Sequence, residues 1–297
     1  MVSTLNRIRG VAVAELRAAV RSRRFLVVAL LFLAVAIAVM YWTISGFAAM
    51  EHEVLVGLGL PVSDNPGSVT MALWKSKPFL RVMERLTHDS LVFSDIVGRH
   101  PIVLAYAFFI FQIVPLLTLL VSGSRIAADL RSGTARYWLV RVTRNEWVLG
   151  KFFGEAVLLA VSLLVAALAG WLTATWRLQG VGCLGLLVGI LDWSLRAWMY
   201  AFAWLGLFLG VSQIARSGGK ATALCILALM GAAAWTSMLK NLGVPQLLHL
   251  DVFVPGAALS LMWRRSASVL LQGVVQLAAL SFLYLALGAA VLRRRDV

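Results

Sequence analysis

The sequence predicts an all-α integral membrane protein with six transmembrane helices, on the strength of three observations. Of its 297 residues, 61% are hydrophobic and only 13% charged, about half the charged share of an ordinary soluble domain. Uncharged runs matching the roughly 20 residues that a helix needs to cross the hydrocarbon core recur along the chain. The basic residues gather at the ends of those runs, where membrane proteins carry their orientation signal.

Taken in order, residues 1–24 form an amphipathic surface helix. Leu5, Ile8, Ala12, Leu16 and Ala19 recur at helical spacing, while Arg9, Arg17, Arg21 and Arg24 can reach headgroups. Span one covers 25–47 and lies too deep in the chain, and is too long, for a cleavable leader. Residues 48–101 are an extracytoplasmic segment with a turn around Pro61, Asp64, Asn65, Pro66 and Gly67, followed by amphipathic helix over 69–97. Such a cap serves packing, or offers a surface to substrate or an extracytoplasmic partner.

Spans two and three cover 102–124 and 152–176, separated by a basic loop over 125–151. Glu155 is the one charge in span three, placed to pair with Lys151 as a boundary residue. The uncharged run 178–191 is either an interfacial segment or the outer part of a long, broken fourth helix that continues through Asp192 and Arg196 into span four at 193–215. Span five covers 221–239 and span six 266–292. Between them, 240–265 sets Pro245, His249, Asp251 and Pro255 in apolar sequence, which reads as a re-entrant hairpin or an interfacial loop. The whole of 1–297 is a single transmembrane domain.

Orientation follows from Lys and Arg. With the amino terminus cytoplasmic, 17 of the 27 basic residues lie inside, six of them in the 125–151 loop. A seventh crossing at 178–191 would put Arg293, Arg294 and Arg295 outside, against the charge rule. Both termini are therefore expected in the cytoplasm.

The loop is the most informative stretch. Arg125 to Arg131 can form a short helix, and Gly133 breaks it because glycine alone takes left-handed dihedrals without steric cost. Six basic residues, Arg125, Arg131, Arg136, Arg141, Arg144 and Lys151, face two acids, Asp129 and Glu146. That surface suits an acidic groove on a partner protein or anionic headgroups. The order of Asp129, Gly133-Thr134, Thr143-Arg144 and Leu149-Gly150-Lys151 resembles the cytoplasmic loop of ABC type-2 transporter permeases, except that Arg141 stands where the family commonly has proline.

The resemblance implies a connecting helix at the amino terminus and short helices dipping into the membrane before the last span. It implies a second permease subunit, as homodimer or heterodimer, and nucleotide-binding subunits that carry ATP and Mg, the permease itself binding no cofactor. It also implies a bacterial inner membrane and coupling through Asp129, Arg131, Gly133, Thr134, Arg144 and Lys151. The alternative is a membrane scaffold that transports nothing and uses its basic loop to recruit a soluble partner or anionic lipid.

Other chemistries find little support. The basic residues form no free patch for nucleic acid. Gly150-Lys151 lacks both the upstream glycine and the following hydroxyl of a phosphate loop, so the chain is expected to be non-catalytic. His52, His88, His100 and His249 are scattered, and no metal site is expected; His52 between Glu51 and Glu53 reads as a solvated loop. Cys183 and Cys225 read as small buried hydrophobes. The nearly apolar mid-span positions disfavour an ion-coupled carrier.

Within the membrane, Asp192 and Arg196 stand four apart and can pair on one helix face, as a polar lining or as an outer anchor. Gly206 and Gly210, like Gly185 and Gly189, permit close helix approach. Gln272 and Gln276 can hydrogen-bond a neighbouring helix or a substrate.

Overall fold

A computed structural model describes residues 3–57, 95, 99–178, 182–242 and 252–294. In chain order it contains α1 (Thr4–Arg21), α2 (Arg23–Gly57), α3 (Pro101–Ser122), α4 (Arg125–Ser132), α5 (Thr134–Leu139), α6 (Arg144–Arg177), α7 (Cys183–Ile214) and α8 (Gly218–Leu242). A 3-10 turn (Pro255–Ala258), α9 (Leu259–Met262) and α10 (Ala267–Arg293) complete it. Six helices are long and apolar enough to cross a membrane, and the fold is all-α among the described residues.

Ser3 starts α1 by accepting from the Asn6 amide. A single extended residue, Ser22, then turns the chain into α2. α2 runs ten residues past the expected end of span one, because nothing in 48–57 breaks a helix. Glu51, His52 and Glu53 thus lie in its last turns, not in a loop, with Glu51 buried and His52 exposed. The turn at 61–67, the amphipathic stretch at 69–94, His88 and His249 fall outside the described residues.

α7 carries the fourth span without a break. It takes in residues 183–191, Asp192 and Arg196 in one 32-residue helix, since each polar side chain finds a partner and the backbone ladder needs no interruption. Of the two cysteines, Cys225 is buried as expected, whereas Cys183 is exposed at the start of α7.

The core runs through α3, α6, α7 and α10. α7 and α10 lie against each other where glycines remove side chains: a Cβ on Gly206 would stand 2.5 Å from Ser281 Cα, and one on Gly210 would stand 2.5 Å from the Tyr284 carbonyl oxygen. The 206/210 pair therefore serves packing within the chain. α8 and the lower-burial face of α2 leave Leu224, Leu227, Met230 and Leu30 open to surrounding lipid or another subunit.

The described part of the 240–265 segment is buried in part, with Val252 and Phe253 about half exposed. Pro255, Ala258 and Met262 are buried, and the segment packs on α7, α8 and α10. Gln276 Nε2 donates to the Val252 carbonyl at 3.4 Å, and the Tyr284 hydroxyl donates to that of Phe253. Tyr284 lies well inside α10, so non-helical backbone reaches deep beside the last span with its carbonyls answered by side chains.

Candidate coupling site between the surface helix, the loop and the third span

The base of the loop is a buried ion cluster. Lys151, on the second turn of α6, points its ammonium 2.6 Å from Glu15 Oε2 of α1 and 2.5 Å from Asp129 Oδ2 of α4. Only 3% of Lys151 is exposed. Arg125 Nε stands 3.1 Å from Glu155 Oε1 and 3.9 Å from Glu15 Oε1. Glu155 is thus partnered by Arg125 and not, as its spacing suggested, by Lys151. Three carboxylates and two cations from three helices share one largely buried cluster, where a removed partner would leave a charge poorly compensated.

Local sequence builds the cluster. Thr143 caps α6: its hydroxyl accepts from the Glu146 amide at 3.3 Å, and Glu146 Oε2 accepts from the Thr143 amide at 2.8 Å. Glu146 also takes Arg7 of α1 at 3.0 Å. Gly150 and Gly154 then open the α6 surface, since a Cβ on Gly150 would stand 2.5 Å from Val11 Cβ and one on Gly154 would stand 3.0 Å from Glu15 Cβ. Glycine at 150 leaves α1 the room to lie on α6, and glycine at 154 eases the fit beside Glu15.

Gly133 joins α4 to α5 with φ of +76°, in the left-handed region. Around it the hairpin is largely exposed, at Arg131 before the turn and at Thr134, Arg136, Tyr137, Val140 and Arg141 after it. The Thr134 hydroxyl is engaged only with that of Ser132, at 2.8 Å. Tyr137 and Val140 are more than four-fifths exposed, unusual for apolar residues on a loop already so basic. Alongside, an open groove of about 730 Å³ between α1 and Trp138 is lined by Arg9, Arg17 and Arg21.

The six expected coupling residues thus separate. Asp129 and Lys151 face inward, while Arg131 and Thr134 face outward and Gly133 makes the turn between them. Arg144 goes elsewhere: its guanidinium donates to the Leu292 and Arg293 carbonyls at 2.9 and 3.1 Å, closing the carboxyl end of α10. Sequence reasoning passed over Glu15, Gly154, Tyr137 and Val140 as site residues. Glu15 left a usable signal, being the one acid in the first 24 residues and in helical register with Val11 and Ala19.

At the opposite end of the bundle, Asp192 lies between two arginines. Arg196 Nε is 3.1 Å from Asp192 Oδ1, and Arg99 is 2.8 Å from Oδ2. Arg196 also donates to the Met262 and Arg264 carbonyls at 2.9 and 2.7 Å. Both guanidinium groups stand over Trp193, at 5.0 and 4.9 Å. This cluster pins the end of the 252–262 segment to α7. The apolar cavity between α2, α3 and α6, lined by Phe32, Tyr106 and Leu163 among others, is about 30 Å³, room for roughly one water. Among the described residues, no group of three or more His, Cys, Asp or Glu side chains is placed to hold a metal ion.

A family profile described as "ABC-2 family transporter protein" matches residues 10–297, a span that takes in α1 from Gly10 onward, the loop and all six long helices. The chain belongs to the ABC-2 transporter family. It is therefore a membrane-spanning permease component of an ABC transporter. No individual curated protein matches the permease.

Proposed function

We propose that this permease couples nucleotide-driven movement of a separate ATP-binding subunit to translocation, or to mechanical transmission, across a bacterial inner membrane. It would work beside a second permease subunit, identical or not, with both termini and the loop on the cytoplasmic side. ATP and Mg belong to the partner subunit. The observation that carries this reading is the α4–α5 hairpin, whose tip leaves Arg131, Arg136, Tyr137, Val140 and Arg141 exposed while its base is locked by Asp129 and Lys151.

Those exposed arginines have no ion pair among the described residues, and the Arg9, Arg17 and Arg21 groove extends the same positive surface. An acidic docking surface on an ATPase subunit complements it. Work passes only when the hairpin binds the ATP-closed partner differently from the open one.

The test is ATP turnover by the complex purified with its co-expressed ATP-binding subunit. Arg136→Glu with Arg141→Glu should cut permease-dependent turnover about tenfold, a typical coupling free energy. A partner that binds equally with and without ATP, and whose turnover ignores the double change, would favour the scaffold role.

A further inference from the structure

The hairpin can deliver work only if its base does not slide. We infer that Glu15 is a positioning residue for coupling, fastening α1, α4 and α6 into one rigid body that carries the loop's displacement into the first and third spans; this rests on the coupling role proposed above. Lys151 reaches Glu15 and Asp129 together, so one ammonium ties the surface helix to the hairpin base. Arg125 repeats the tie one turn away, joining Glu155 and Glu15. Ion pairs this buried fix register because no shifted arrangement re-forms them.

Packing agrees with the charges. Val11 and Glu15 fill the hollows above Gly150 and Gly154, with the Gly150 position also 2.9 Å from the Ile8 carbonyl oxygen. Arg7 and Glu146 close the amino-terminal edge at 3.0 Å. A displacement of α6 must take α1 with it, and Ser22, the one residue between α1 and α2, hands that displacement to the first span. The bonds to α7 differ in kind: the Ala127 amide donates to the Ser212 hydroxyl at 3.1 Å and the Trp198 indole N–H donates to the Ala156 carbonyl at 2.8 Å, both neutral.

Two variants test the assignment in the complex with its ATP-binding subunit. Glu15→Gln should lower permease-dependent turnover about tenfold while the ATP-binding subunit still copurifies. The second is a staple, Glu15→Cys with Gly154→Cys in a chain carrying Cys183→Ala and Cys225→Ala. The 3.0 Å separation between Glu15 Cβ and a Cβ built on Gly154 lies just short of the range of roughly 3.5–4.5 Å found in disulfides. Once oxidised, the staple should turn over ATP at least as fast as its reduced form, because a covalent tie replaces the ionic one. Turnover that stops on oxidation and returns on reduction would overturn the inference, since α1 would then have to move against α6. So would a Glu15→Gln complex as active as the wild type. If the wild-type permease leaves turnover unchanged, the coupling role itself is refuted and the Glu15 assignment with it.

Discussion

The two ends of the bundle both bury charge, yet they use it differently. At the loop end, Lys151, Arg125, Glu15, Asp129 and Glu155 bond side chain to side chain across three helices. At the other end, Arg196 spends two of its hydrogen bonds on the Met262 and Arg264 carbonyls and shares Asp192 with Arg99. The first arrangement sets how separate helices lie on one another. The second satisfies backbone that a helix does not, where a buried unpaired carbonyl would be costly. Charge shared between elements ties helices into a joint, and charge given to carbonyls makes a fixed anchor.

Three substitutions sharpen that contrast. Lys151→Met should have the largest effect, leaving the buried Glu15 and the half-buried Asp129 without the ammonium between them and costing about 3 kcal/mol. Reversible unfolding in mixed micelles would measure it, and a cost near zero would mean that the joint is solvated. Arg196→Met keeps the packing on Trp193 but strips two carbonyls of their donor, for an expected loss of about 2–3 kcal/mol. Should it exceed the Lys151→Met loss, the anchor and not the joint is the stronger element. Tyr284→Phe should cost least, about 0.6 kcal/mol for one hydrogen bond inside a membrane. Its sharper readout is faster hydrogen exchange around Phe253, and unchanged exchange there would show that the hydroxyl does not hold the segment.

How much of this was legible beforehand depended on the range of the interaction. Gly133 could be read as a turn because its left-handed dihedral is a local steric property. The capping box at Thr143 and Glu146, three residues apart, is local too, though it was passed over. Arg144 was misjudged because its partners, the Leu292 and Arg293 carbonyls, lie almost 150 residues away. Glu155 was assigned the cation one turn earlier on its own helix, whereas α4 brings Arg125 closer. A break was expected near Asp192, but Arg99 and Arg196 satisfy the carboxylate and α7 runs straight through it.

By itself the sequence determined that this is a six-span helical membrane protein and that its most distinctive segment is the loop. Those properties depend on apolar run length, charge placement and single-residue backbone preferences, all of which act over a few turns. Only the tertiary structure decided which loop residues are exposed and which lock the base, that Gly150 and Gly154 seat α1 on α6, and that Gln276 and Tyr284 support the 252–262 segment. Each depends on which helices come within a few ångströms of one another, and charge pairing and close packing across helices carry no sequence period of their own.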